Sequence, residues 1–293
     1  MNLIDNINLM TKKIGFIGAG FMGYGIAKNL IIDNFSLKII AHKNHEPIKK
    51  LVSLGAIEVK NYDDLSADLQ CLIICVTNTP VAKEIANQIA SKLPSNILVI
   101  DITTHKENGS LEIHDIFNHY KIKYIESPVM GGPVQAEEGI LGAIVGASDE
   151  NFELSKEYLN SFCKEIFHFG SVGMGAKAKL ISNFLSLGTT TFVIETLKVA
   201  EKMNIDLKKL YNVAKLGSGN SGALARIADK AVEGNYKGYI FTVNNTIKDL
   251  TYIHDMLKNS PNAEKLANLT KSFYKEASDK GYGELLISEL IKK

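Results

Sequence analysis

The chain is short of the features that would mark an exported, metal-bound or polyanion-binding protein. It has three cysteines in 293 residues, an odd and small number that argues against a disulfide framework and for a reducing compartment. Cys71 and Cys75 form neither a redox CxxC nor half of a zinc set, and read as buried strand residues. No charge of one sign dominates: 33 Lys and Arg face 32 Asp and Glu, a formal net charge of +1. No electrostatic excess therefore draws the chain to nucleic acid or to an anionic membrane. Long apolar runs are scarce. The segment MNLIDNINLMTKK contains Asp5 and does not read as a signal peptide. The most apolar stretch, NFLSLGTTTFVIETLKVA (183–200), includes Glu195 and Lys198 and reads as too polar to span a bilayer, which takes about 20 apolar residues. His42, His45, His105, His114, His119, His168 and His254 form no HxH or HxxxH pair, so no metal is expected. These absences predict a soluble, cytoplasmic protein with neither nucleic acid nor membrane as partner.

What is present is a rhythm. From Lys13, short runs rich in Ile and Val alternate with amphipathic segments: IGFIG (14–18), LKII (37–40), CLIICVT (71–77), ILVIDIT (97–103) and KYIESPV (123–129). Such alternation is the mark of βαβ units and a buried parallel sheet. LGAIVGA (141–147) and KEIFHFG (164–170) read as its closing strands. Segments 177–203, 206–215, 221–233, 241–258 and 262–280 instead carry helical period. The predicted architecture is an α/β Rossmann domain over residues 1–170, followed by an all-helical domain over 171–293.

Gly18-Ala19-Gly20-Phe21-Met22-Gly23 is a GxGxxG entered by the strand KKIGFI and left by the helix GYGIAKNL. In that context the first glycine allows a tight turn, and the second admits a pyrophosphate to the backbone. The third lets helix and strand pack closely. The second strand commonly ends in an acid that accepts from the ribose hydroxyl of NAD. Here it ends Ile40-Ala41-His42-Lys43-Asn44, with no acid before Glu46. That exit suits a 2′-phosphate better, which favours NADP with NAD still possible; a simply solvated Lys43 is the competing reading.

A dehydrogenase also needs a proton donor. In GMGAKAKLISN (173–183), Lys179 and Asn183 are four apart and share a helical face, while Lys177 points elsewhere and reads as exposed. A lysine whose pKa is lowered by desolvation can protonate a carbonyl oxygen as hydride arrives. The same spacing also fits an ordinary exposed lysine.

These elements together resemble the β-hydroxyacid dehydrogenases, the group of 3-hydroxyisobutyrate dehydrogenase, tartronate semialdehyde reductase and glyoxylate/succinic semialdehyde reductase. IGFIGAGFMGYGIAKNL is similar to the family's dinucleotide fingerprint. Asp101-Ile102-Thr103-Thr104 is similar to its D-x-S-T loop. Pro128-Val129-Met130-Gly131-Gly132, with Ala136 and Gly139, resembles P-V-S-G-G-x-x-x-A-x-x-G. GMGAKAKLISN resembles the segment that carries the family's catalytic lysine and asparagine, and Phe241 with Lys248-Asp249-Leu250 resembles its late F…K-D-L element.

The resemblance implies NAD(P)-dependent interconversion of a short β-hydroxyacid and its semialdehyde or keto acid, in a cleft between the domains. Lys179 and Asn183 would be catalytic. Gly18 to Gly23, His42, Lys43, Asn44, Val76, Thr77, Thr104 and Lys248 would hold the cofactor. Thr103, Met130, Gly131, Gly132, Phe241 and Asp249 would face the substrate. A homodimer or homotetramer is also implied, and the apolar runs FLSLGTTTFVIETLKVA and IADKAV read as partner-facing.

Met130 departs from the family's serine, whose hydroxyl helps to anchor a substrate carboxylate; a thioether cannot donate a hydrogen bond. Gly131 and Gly132 still offer backbone donors. Thr103 keeps a hydroxyl in place of serine, and Ser182 replaces the first of two common asparagines. Two other classes compete: a non-catalytic NADP-binding scaffold or sensor, and an imine reductase-like enzyme, although the latter usually carry Asp or Tyr at position 179. Tyr211-x-x-x-Lys215 fits the short-chain dehydrogenase string, but lies in the helical half and reads as chance. 6-Phosphogluconate dehydrogenase, with a much longer chain, reads as a weaker relative.

Overall fold

The computed structural model describes residues 12–42 and 44–293, so Lys43 and the amino-terminal segment lie outside the described residues. The chain divides into two compact units, the first ending at Ala176 and the second running from Lys177 to Lys293.

In the first unit, β1 (Lys13–Ile17), α1 (Phe21–Ile32), β2 (Ser36–Ile40), α2 (Glu46–Ser53), β3 (Ile57–Val59), α3 (Tyr62–Ser66) and β4 (Cys71–Ile74) follow one another. Then come α4 (Thr79–Ile89), β5 (Leu98–Asp101), α5 (Gly109–His119) and β6 (Lys123–Glu126). These six strands form one sheet in the order β3-β2-β1-β4-β5-β6, parallel at every pairing. The strand order reverses between β1 and β4, which is where open α/β sheets bind dinucleotides, beyond the strands' carboxyl ends.

Why the sheet is buried on both faces follows from side-chain alternation. Ile14, Phe16, Cys71, Ile73, Leu98 and Ile100 enter one core, with Ile26 and Leu30 of α1. Ile17, Leu72, Ile74 and Val99 enter the opposite one, with Ile85 and Ile89 of α4. Each such large apolar side chain contributes about 1.5–3 kcal/mol on burial.

The two runs expected to close this sheet do something else. β7 (Val129–Met130), β8 (Leu141–Val145) and β9 (Cys163–His168), with α6 (Pro133–Glu138) and α7 (Asp149–Leu159), build a separate three-stranded sheet in the order β7-β8-β9. β7 pairs antiparallel to β8. β3 carried no readable sequence signal, because it is a three-residue strand holding Glu58, paired only along β2. Cys71 is buried in β4 as expected, whereas Cys75 lies just past that strand and is half-buried.

The long helix α8 (Met174–Lys202) begins in the first unit. The second unit holds the rest of it with α9 (Leu207–Ala214), α10 (Gly222–Ala231), α11 (Val243–Met256), α12 (Pro261–Ala277) and a closing 3-10 turn, Ile287–Lys292. Leu180, Leu187, Ile194 and Leu197 of α8 pack with Leu224, Ile227, Leu250, Ile253 and Tyr274 in this unit's own core. α8 is long and apolar enough to cross a bilayer by length and composition only, and Leu180, Leu187, Ile194 and Leu197 spend one of its faces on the core of this unit. IADKAV is also not a free face, since Ile227, Ala228 and Ala231 are buried in that core. Lys177 is half-buried, not exposed.

Candidate functional site

The first unit presents its glycine-rich turn between β1 and α1, at the switch in strand order. Gly18 has φ of +105°, and a Cβ there would sit 2.1 Å from the Cys75 carbonyl oxygen, so both conformation and space demand glycine. A Cβ on Gly23 would lie 1.9 Å from the Gly18 carbonyl oxygen, whereas one on Gly20 would meet nothing within 4 Å. The turn is thus closed on the protein side at Gly18 and Gly23 and open at Gly20. Gly20 is the N-cap of α1 and no side chain caps that helix, leaving its first N–H groups for an anion. The cradle fits a dinucleotide pyrophosphate. Ala19 and Met22 are half-buried and Phe21 is 73% exposed beside it. His42 and Asn44 are exposed just past β2; Lys43 lies outside the described residues.

The loops after β4 and β5 adjoin at the same edge of the sheet. Val76 N donates to Thr103 Oγ1 at 3.2 Å, and Thr103 is only 2% exposed. The Thr103 hydroxyl therefore braces one loop against the other, a contact that its expected role at the substrate did not include. Thr77 is exposed and Thr104 half-buried. Met130 is half-buried at the end of β7, followed by Gly131 at φ +121°. Gly132 N donates to Gln135 Oε1 at 2.9 Å, so one of the two backbone donors expected to serve the substrate is engaged in its own turn.

The start of α8 shows why the motif reads G-M-G. Glu126, buried at the end of β6, accepts from Gly173 N at 2.7 Å and Ala176 N at 3.1 Å through one oxygen. Gly173 has φ of +97°, and a Cβ on Gly175 would lie 2.8 Å from Gly146 N. Burial pushes the Glu126 carboxyl above its ordinary range, against the lowering effect of Ser110, of those two amides and of His105. Nothing in the sequence motif marked Glu126, because a carboxylate on a strand gives no periodic signal.

In the second unit, the spacing of Lys179 and Asn183 does place them together. Both are buried, at 9% and 7% exposure. Asn183 Nδ2 donates to Asp249 Oδ2 at 2.8 Å, and the other Asp249 oxygen lies 2.9 Å from Lys248 Nζ. The late K-D-L element on α11 thus meets α8, and the competing reading of an ordinary exposed lysine fails. Burial lowers the Lys179 ammonium from 10.5 to about 8, opposed by the Asp249 charge and reinforced by Lys248. A group with that pKa can give and take a proton near neutrality, as a general acid/base must. Phe241 is half-buried, packed on the core of this unit rather than within it. Tyr211 sits on α9, which Lys215 caps, and the Tyr211 hydroxyl donates to Asp229 at 2.6 Å, far in sequence from the glycine turn at 18–23.

Comparison with known proteins agrees with this geometry. Residues 13–170 match the family model of the NAD binding domain of 6-phosphogluconate dehydrogenase. Residues 173–293 match that of the NAD-binding region of NADP-dependent 3-hydroxyisobutyrate dehydrogenase. An L-threonate dehydrogenase of Haemophilus influenzae is 27% identical over 96% of this chain and 94% of its own. A 2-(hydroxymethyl)glutarate dehydrogenase of Eubacterium barkeri is 25% identical over 77% of this chain and 76% of its own. A solved 3-hydroxyisobutyrate dehydrogenase of Salmonella typhimurium shares the fold, with a TM-score of 0.88 and 23% identity over 96% of this chain and 99% of that one. With one family model spanning more than half of the chain and the second taking up most of the rest, this protein belongs to the β-hydroxyacid dehydrogenase family of NAD(P)-dependent oxidoreductases.

Proposed function

We propose that the protein interconverts a short β-hydroxyacid and its semialdehyde or keto acid, with Lys179 as general acid/base. The observation that carries this reading is the buried Lys179, held near pKa 8 on the same helical face as Asn183. The glycine turn at residues 18–23 would hold a nicotinamide cofactor, which would supply or take up the hydride. In reduction, the Lys179 ammonium gives its proton to the substrate oxygen; in oxidation, the neutral amine takes the hydroxyl proton. Asn183, fixed by Asp249, orients that exchange. Lys248, 2.9 Å from Asp249, lends the site positive charge for an acidic ligand.

The first unit is read as the dinucleotide-binding domain, with residues 18–23, Val76, Thr77 and Thr104 along the cofactor. The second is read as the substrate and oligomerisation domain. NADP is favoured, since no acid stands between Ile40 and Glu46 to accept from a free ribose hydroxyl. Met130 in place of the family's serine favours a substrate held by other donors than a side-chain hydroxyl. On α8, Ile181, Leu185, Phe192 and Val199 share one face and are exposed, Leu185 at 73% and Phe192 at 76%. That stripe supports assembly as a homodimer or homotetramer.

The test is consumption of NADPH or NADH with glyoxylate, succinic semialdehyde, methylmalonate semialdehyde or tartronate semialdehyde, and oxidation of L-threonate in reverse. Turnover of one of these by the parent chain, lost in Lys179→Ala, is expected. Unchanged turnover in Lys179→Ala would refute the mechanism, and tight cofactor binding without any turnover would favour a scaffold.

A further inference from the structure

A histidine that belongs to none of the roles above sits at the centre of a closed polar network under the loops after β4 and β5. Asp101, the last residue of β5, is 0% exposed, as is His105. Asp101 Oδ1 accepts from Thr103 N at 3.0 Å. Its Oδ2 meets His105 Nε2 at 2.9 Å and accepts from the Tyr124 hydroxyl at 3.3 Å. On the far side of the ring, His105 Nδ1 lies 3.2 Å from Thr79 Oγ1, which also accepts from Lys106 N at 3.1 Å. Each ring nitrogen thus has a buried partner, the carboxylate on one side and the Thr79 hydroxyl on the other. Gly109 clears the space this needs, since a Cβ there would fall 2.6 Å from the Thr79 methyl.

The network joins the two loops twice. One link runs from Asp101 through Thr103 to Val76 N; the other runs from Asp101 through His105 to Thr79, which opens α4. Both loops lie at the carboxyl edge of β4 and β5, past the switch in strand order, where the second half of a bound dinucleotide rests. Apolar side chains at both positions 101 and 105 would fill the same volume without the desolvation cost of a buried imidazole and carboxylate. Such a pair fixes a direction as well as a distance, which packing alone does not.

We propose that His105 is a positioning residue for the nicotinamide half of the site: it ties the β4–α4 and β5–α5 loops into one rigid edge through Asp101 and Thr79. It touches neither cofactor nor substrate, and the assignment rests on the dinucleotide reading above.

The experiment uses the whole chain and calorimetric titration. NADPH and NADH are compared with ADP-ribose and its 2′-phosphate, which carry the adenosine and pyrophosphate but no nicotinamide. In His105→Leu the dinucleotides should weaken about tenfold or more while the ADP-riboses stay within about twofold, the loss expected when a buried charge-assisted hydrogen bond goes unmade. His105→Gln, which keeps a donor toward Asp101, should recover most of the loss. If His105→Leu does not fold, Thr79→Val should show the same split between the two ligand classes. An equal loss on both classes, no loss on either, or no recovery with glutamine would overturn the proposal. A parent chain that bound neither dinucleotide would instead overturn the dinucleotide reading.

Discussion

Replacing Lys179 by methionine should make the protein more stable at neutral pH while removing its chemistry. In the fold, burial lowers the Lys179 ammonium from 10.5 to about 8. At about 1.4 kcal/mol for each factor of ten in proton affinity, keeping that ammonium charged in the folded state costs roughly 3 kcal/mol. The sign follows from proton counting. Between pH 8 and 10.5 the unfolded chain binds the proton that the fold has released, so stability rises with pH across that window. Below pH 8 both states are protonated and the full cost stands. Methionine matches the lysine stem in length and brings no charge into the site. Lys179→Met should therefore exceed the parent chain by up to about 3 kcal/mol at pH 7, with the gain vanishing as pH approaches 10.5. The assay is urea unfolding of both proteins, followed by far-UV circular dichroism at several pH values, where the titration of other groups cancels in the difference. A variant less stable than its parent at pH 7, or a gain that does not change with pH, would refute the reasoning. Turnover in the same variant should fall by at least about a hundredfold.

Three further outcomes are expected. Reduction needs the protonated Lys179, so its rate should fall as pH rises through about 8, and oxidation should do the reverse; Asp249→Asn removes the charge that raises this lysine, and both profiles should move to lower pH. Gly23→Ala would force a Cβ to within 1.9 Å of the Gly18 carbonyl oxygen, so cofactor titration should show no binding by a chain whose helical unit still gives a normal spectrum. Charged residues on the exposed face of α8, Leu185→Glu with Phe192→Glu, should shift the mass in light scattering to that of a 32.2 kDa monomer; a parent protein already monomeric would contradict the assembly proposed for that face.

How much of this was legible beforehand depended on whether a feature is periodic or local. The Ile- and Val-rich strands at residues 14, 37, 71, 97 and 123 announce themselves because a parallel sheet buried on both faces needs unbroken apolar runs. The GxGxxG could be read because each glycine answers a local demand, and the distances at Gly18 and Gly23 show that demand directly. The four-residue spacing put Lys179 and Asn183 on one face of a helix, and the family resemblance brought Asp249 to the same set.

Pairings between distant segments could not be read from the chain alone. β7, β8 and β9 carry the same apolar signal as a closing strand of the main sheet, yet form their own sheet, since an apolar run specifies burial and not its partner. The IADKAV segment has an apolar face that could serve a second subunit, and it is spent on the helical unit's own core. Glu126 against the opening of α8, and Asp101 against His105 and Tyr124, are contacts of buried charges with no period and no motif. Five of the sheet's strands, the glycine turn and the helical face bearing the lysine follow from local geometry and are legible in the chain. The depressed pKa of Lys179 belongs to the tertiary structure, because desolvation is a property of everything packed around the ammonium and not of the residues beside it in the chain.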